Sequence, residues 1–226
     1  MARYVFLTNL LGQKKTTESL LKESHASSTF YLFLFLSAFI VTLGLLINNA
    51  VVIIGGMLVA PFLFPFLLLG MGIATSNMEA TARSLKIIGT SVCIVFATSF
   101  LTTFLLNGQG ATEQMKLVST LNLVLFLVAC TSGIIAACAW AKENISTTLP
   151  GIAITIALIP PLAASGIAVA LLSKELFSGS FMLFLVNFLG ITVASIIVFV
   201  LFGFSQSQKT EEQKIKEETT HDTITL

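Results

Sequence analysis

Apolar residues run through this chain in six long blocks separated by short polar stretches. The blocks lie near 30–47, 50–74, 87–106, 117–140, 149–172 and 181–204, each about 17 to 25 residues, the length a helix needs to cross the hydrocarbon of a bilayer. No Lys, Arg, Asp or Glu interrupts any of them. Each Leu, Ile, Val or Phe at a helix centre favours insertion by about 0.3 to 0.6 kcal/mol, so all six read as spanning helices. Composition places the chain in the same class, because 55% of its 226 residues are hydrophobic and only 10% charged, against roughly 45–50% and 25% in soluble domains. The pattern therefore predicts an all-α polytopic membrane protein. Its transmembrane domain covers 30–204, flanked by a cytoplasmic or interfacial N-terminal segment, 1–29, and a polar cytoplasmic tail, 205–226.

Charge sets the orientation. With six runs spanning, one side carries Arg3, Lys14, Lys15, Lys22, Arg83, Lys86, Lys142, Lys209, Lys214 and Lys216, and the other only Lys116 and Lys174. Both termini are therefore expected on the cytoplasmic face of a cell (inner) membrane. Were one block a re-entrant hairpin, every later loop would change sides and the basic residues would divide, so broken spans are preferred to hairpins. MARYVFLTNLLG is too short and too soon interrupted to be a signal sequence and is expected at the membrane surface. The sequon at Asn144 and Ser146 would face the cytoplasm and stay unmodified. A net charge of +1 offers no face for nucleic acid. Cys93, Cys130 and Cys138 lie within apolar runs with neither disulfide nor zinc spacing.

Two of the six blocks contain prolines at mid-length: GGMLVAPFLFPFLLLGMG, with Pro61 and Pro65, and PGIAITIALIPPLAASG, with Pro160 and Pro161. Shifting the chain by 96 residues (151 minus 55) lays the second three blocks on the first. The shift superposes Gly55 on Gly151, Pro65 on Pro161, Gly70 on Gly166, Ala74 on Ala170, Glu79 on Glu175, Ser99 on Ser195 and Leu105 on Leu201. A repeat with an odd number of spans must insert its second copy upside down. The expected fold is thus six transmembrane helices in two inverted three-helix repeats, about 30–106 and 126–202, the middle helix of each broken by proline.

The run VVIIGGMLVAPFLFPFLLLGMGIATSN, followed by LPGIAITIALIPPLAASGIAVAL and FMLFLVNFLGITVASIIVF, resembles the prokaryotic membrane proteins of domain-of-unknown-function family 389. The resemblance covers roughly residues 30 to 204 and implies a fold and a location, not an activity. It also implies that many members join a soluble domain to the spans. Only short polar ends flank them here, so regulation housed in such a domain is not expected.

A proline in mid-membrane removes an N–H that no water replaces. It would free the carbonyls of Met57, Pro61, Ile156 and Ala157, which could hold a cation or water, while the half-helices that follow would offer N–H groups to an anionic head group. Inverted-repeat transporters bind their substrates between two such interruptions. The candidate binding residues are Met57, Pro61, Pro65, Gly70, Ile156, Ala157, Pro160, Pro161, Ser165, Gly166 and Asn187, with Glu79 and Glu175 as candidate gates. Each has a plainer alternative. The prolines can kink packed helices, the glycines with nearby alanines can serve close packing, and Ser or Thr hydroxyls can return to their own helix. The glutamates can be ordinary loop charge. Asn187 and Asn122, within the last and fourth spans, need a partner or an aqueous cavity, whereas Asn48 and Asn49 suit a turn.

No membrane-embedded carboxylate or lysine supports a proton relay, no HExxH or Asp pair supports intramembrane proteolysis, and no nucleotide motif is present. His25 and His221 lie outside the spans. No enzyme, cofactor or metal is expected. The sequence points to a transporter or channel for a small solute, an ion or a lipid head group, in contact with the bilayer and plausible as a homo-oligomer. An oligomeric scaffold or partner-binding protein without transport is the alternative.

Overall fold

The computed structural model describes residues 27–108, 110–141 and 148–204; of residues 63 and 148–157 it describes the helical backbone alone. Within these residues the chain forms eight helices: α1 (Ser28–Leu46), α2 (Ala50–Val59), α3 (Leu63–Ala74), α4 (Met78–Leu105), the single turn α5 (Glu113–Leu117), α6 (Leu123–Ala141), α7 (Thr148–Ala170) and α8 (Lys174–Leu201). By length and composition α1, α4, α6 and α8 can each cross a bilayer, and α2 with α3 makes a fifth such unit bent by 58° at its break. The remaining predicted block, fifth in chain order, is α7, helical over 23 residues.

Local chemistry fixes the helix ends. Ser27, Asn49, Asn77, Thr112 and Ser173 each accept a backbone N–H from the first turn that follows, satisfying donors that have no partner inside the helix. α4 and α8 begin some two turns before the predicted apolar blocks. Their caps and their first-turn acids, Glu79 and Glu175, extend them through polar sequence, where a carboxylate complements the positive end of the helix dipole.

The core lies where the C-terminal halves of α3 and α7 are enclosed by the longer helices. Phe66 to Leu69 of α3 and Leu158 to Ala168 of α7 are buried on every face, while α1, α6 and α8 turn large apolar side chains such as Phe35, Leu127 and Val193 outward. A helix apolar all round with an apolar outer surface fits a hydrocarbon solvent. Aromatic rings tie the break to this core. Phe177, Phe181, Phe184 and Phe188 follow one another along α8 with centroids 5.6 to 6.3 Å apart, Phe188 meets Phe66 edge-on at 5.5 Å, and Phe66 meets Phe62 at 5.3 Å.

The bent pair runs the length of the bundle. At its start, the Gln114 backbone N–H donates to Asn48 Oδ1 and Ser119 lies against Gly179 near the N-terminus of α8. At its finish, Gly70 packs on Ser195 and Ile196 near the C-terminus of α8, about 24 Å further along that helix. The start and the finish of the bent pair therefore lie toward different ends of α8.

Helix bounds recur at the shift of 96. α4 maps onto α8 end for end, α3 and α7 finish at Ala74 and Ala170, and the turns that follow hold Ser76 at φ 56° and Leu172 at φ 55°. Contacts recur crosswise. Gly70 lies against Ser195 and Ile196, and Gly166 lies against Ser99 and Phe100; adding 96 to one partner and subtracting it from the other converts the first contact into the second.

Of the glycines expected to pack helices, Gly56, Gly70, Gly72 and Gly166 do so, Gly55 faces open space, and the surroundings of Gly151 lie outside the described residues. A Cβ at Gly133 would sit 2.7 Å from the Ile191 carbonyl, and one at Gly166 would sit 2.6 Å from that of Phe96. Backbone cannot yield as a side-chain end can. Gly133→Ala and Gly166→Ala should each cost about 1–3 kcal/mol, lowering the thermal midpoint in detergent, while Gly89→Ala, with nothing within 4 Å, should hold or raise it.

Candidate functional site

Proline chemistry separates the two interrupted segments. The chain leaves helical geometry at Ala60, Pro61 and Phe62, and Ala60 turns its N–H back to the Met57 carbonyl at 3.3 Å. Pro65, expected to make the break, is instead the third residue of α3, a position whose N–H has no intrahelical partner to lose. The Met57 oxygen, expected to be free, accepts that turn bond. In the other segment α7 continues through Pro160 and Pro161, whose fixed φ suits a helix even though two N–H donors are missing. The expected second break is thus a proline pair inside a helix. The carbonyls of Ile156 and Ala157 lie in the stretch of α7 whose side chains are outside the described residues.

Beside that pair lies a cavity of about 240 Å³. Ile53, Ile54 and Met57 of α2 form one wall and Leu125 and Val128 of α6 another. Its inner end is closed by Pro160 and Pro161 of α7 with Leu183 and Asn187 of α8. Ala50 and Gln114 line it at the end of the bundle where α2 begins. Asn187 stands half-way along the 28-residue α8. The cavity thus runs from one end of the bundle toward mid-depth. Its lining carries no charge, and the amides of Gln114 and Asn187 are its polar side chains. A small uncharged or amphipathic molecule with one or two hydrogen-bonding groups fits such walls better than a bare ion.

Four predicted binding residues, Met57, Pro160, Pro161 and Asn187, meet at this cavity. Gly70 and Gly166 lie instead at the crosswise helix contacts. Ser165 sits fully buried one turn beyond Pro161, donating to its carbonyl at 2.8 Å and lying 3.1 Å from the Ser180 hydroxyl. Pro61 and Pro65 do not line the cavity. Glu79 and Glu175 are exposed first-turn residues of α4 and α8, away from its walls. Asn122, expected inside a span, is exposed at the start of α6 and accepts the Val124 N–H at 2.8 Å. Asn48 and Asn49 do make the predicted turn, Asn48 at φ 57° and Asn49 as the cap of α2. The sequon, the two histidines, and both terminal segments lie outside the described residues. Gln114 was legible only as a loop residue, because nothing in its neighbourhood of sequence ties it to α2 or α7.

Most buried hydroxyls return to their own helix. Ser84, Ser99, Thr103, Ser132 and Ser180 each donate to the carbonyl four residues back, and Thr42 adds a bond from α1 to Ser99 at 2.8 Å. Ser91 Oγ and Thr192 Oγ1 depart from this pattern, buried with no hydrogen-bond partner among the described residues. Such an orphan costs about 1–3 kcal/mol.

A family model described as "Domain of unknown function (DUF389)" matches residues 57–193, which include the break, α7 with its prolines, and Asn187. The chain belongs to this family. It is also similar to the "Uncharacterized protein MJ0678" of Methanocaldococcus jannaschii, with 27% identity over 174 residues, 77% of this chain and 54% of that protein. The chain therefore spans about half the length of that relative. No solved structure matches it.

The hydroxyl pair next to the proline turn can be weighed directly. A double-mutant cycle of Ser165→Ala and Ser180→Ala, read by reversible unfolding in bicelles, should give a coupling of about 0.5–1.5 kcal/mol. Strictly additive effects would mean that each serine bonds only its own helix.

Proposed function

We propose that this family member moves a small, uncharged or amphipathic solute across the membrane through the cavity at Pro160, Pro161 and Asn187. The observation carrying this reading is the cavity itself. It extends from one end of the bundle toward mid-depth, where the prolines remove two N–H donors from α7 and Asn187 supplies an amide. A purely architectural kink needs neither the space nor the amide. In the same reading the fold is a six-span inverted repeat with both termini on the cytoplasmic side of the cell membrane. It is supported by the recurrence of helix bounds at 96 residues and by the reciprocal contacts of Gly70 and Gly166. α7 is the fifth span, and its counterpart is the bent pair.

Binding here favours a solute that replaces water at the amides while covering the apolar walls. The lining has no charge to hold an ion tightly. A cation coordinated by the carbonyls of Ile156 and Ala157 is the version that keeps ion movement possible, since the prolines leave those oxygens without their helical donors.

One observation favours a scaffold instead. Two apolar grooves, of about 600 Å³ between α1 and α4 and about 290 Å³ between α6 and α8, face outward and suit packing by lipid or by a second copy of the chain.

Proteoliposomes separate the two readings. Light-scattering flux of glycerol and urea, and dye-reported sodium flux, should exceed that of empty liposomes for at least one probe. That flux should fall at least fivefold in Val128→Trp, which fills the cavity, and in Asn187→Leu, which removes its inner amide. Flux equal to empty liposomes for every probe, with both variants unchanged, would leave the scaffold as the better account.

A further inference from the structure

The inner end of the cavity is built from α7 and α8, and the shift of 96 residues pairs its residues with positions in the first half of the chain. Subtracting 96 from Pro160, Pro161, Leu183 and Asn187 gives Phe64, Pro65, Ile87 and Ser91. Pro65 is buried, Ile87 is 6% exposed, Ser91 is 1% exposed and Phe64 is partly buried. Ser91 stands half-way along α4, as Asn187 stands half-way along α8. Its hydroxyl has no hydrogen-bond partner among the described residues, although Ser84, Ser99 and Thr103 of the same helix all bond back to it. A buried hydroxyl left without a partner beside neighbours that have one calls for a physical explanation.

The proline segments differ in the matching sense. The first half is broken at Ala60 to Phe62 and bent by 58°, whereas α7 runs on through Pro160 and Pro161. In an inverted repeat, exchanging the conformations of the two halves converts a cleft open at one face into one open at the other.

Resting on the inverted-repeat translocation reading, we propose that Ser91 is the polar contact of a second cleft, closed in this structure. That cleft opens from the opposite end of the bundle and is lined by Phe64, Pro65, Ile87 and Ser91. It forms when α2 and α3 straighten and α7 bends at its proline pair, so the solute passes from Asn187 to Ser91 as the two clefts open in turn. The solute class is the one inferred for the first cavity, a small neutral molecule with hydrogen-bonding groups. An amide serves it on one side and a hydroxyl on the other.

The test uses the full chain in sealed membrane vesicles, with Cys93, Cys130 and Cys138 replaced by alanine. Ser91→Cys and Asn187→Cys, each checked for a monodisperse size-exclusion profile, are exposed to a charged, membrane-impermeant methanethiosulfonate from one face at a time. Ile87→Cys, one turn from Ser91, serves as a second reporter. Asn187→Cys should react from the face on which Gln114 lies, and Ser91→Cys or Ile87→Cys from the opposite face. Adding Val128→Trp to wedge the first cavity open should slow the Ser91→Cys reaction at least tenfold. Failure of both Ser91→Cys and Ile87→Cys to react from either face would overturn the second cleft, as would reaction from the same face as Asn187→Cys or indifference to the wedge. Glycerol, urea or sodium flux with these two cysteines inert would sink the second cleft and leave translocation standing. Labelling as expected without flux would sink translocation and leave a two-state molecule.

Discussion

In hydrocarbon every peptide N–H and C=O must find its partner within the protein, because no water is at hand and each failure costs several kcal/mol. The fold follows from how this chain meets that demand. Its long helices satisfy themselves, and their ends are closed by side chains such as Asn49, Asn77 and Ser173. Where the chain gives up donors, Phe62, Pro65, Pro160 and Pro161 are buried, while Ala60 and Pro61 are partly exposed. α3 and the second half of α7 are surrounded by α1, α4, α6 and α8, and the break at Ala60 to Phe62 is tied to α8 through Phe62, Phe66 and Phe188. The end of the irregular stretch, at Phe62, is therefore held among protein atoms, the condition under which a membrane tolerates irregular backbone.

Close approach is the second consequence. Hydrophobic attraction cannot join helices that are already in an apolar solvent, so contact area and hydrogen bonds must do it. Gly133 on Ile191, Gly166 on Phe96 and Ser99, and Gly70 on Ser195 bring backbones within reach of each other. The hydroxyl contacts of Thr42 with Ser99 and of Ser165 with Ser180 lie in the same seams. The crosswise pairing of α4 with α7 and of α8 with α3 joins the two halves of the chain more intimately than a single connecting loop could. A movement of one half must then be taken up by the other.

Much of this was legible in the sequence, for physical reasons that also explain what was not. Hydropathy located the helices because burial in lipid acts on every residue of a span, and it erred at the starts of α4 and α8. There Glu79, Arg83, Lys86, Lys174 and Glu175 extend capped helices beyond the apolar blocks. The shift of 96 anticipated which helix ends would correspond. The prolines were read correctly as the special positions but not in their effects. A proline in the third position of a helix costs no bond, so Pro65 begins α3 and the break falls at Pro61, while Pro160 and Pro161 remain helical because their own φ allows it. Asn122 lay at the margin of a block, where a helix start and a buried polar site look alike until the cap is seen. Gln114 joins the cavity by tertiary folding alone.

The contrast between Asn187 and Ser91 carries the functional argument furthest. Two positions half-way along corresponding helices, α8 and α4, hold polar side chains in a layer that is otherwise apolar. One lines a cavity, and the other is buried with no hydrogen-bond partner for its hydroxyl among the described residues. A static scaffold would gain by having valine or alanine at position 91, since either fills similar space without an orphaned oxygen. Retaining serine there is costly in this arrangement alone, and the cost is removed if the molecule spends part of its time in a second arrangement where that hydroxyl is wetted or holds a solute. The difference between the bent α2–α3 pair and the continuous α7 supplies the kind of asymmetry that such an exchange requires. In the proposed two-cleft reading, polarity at position 91 and bending at position 61 are two expressions of one property, a pair of related halves held in unlike conformations.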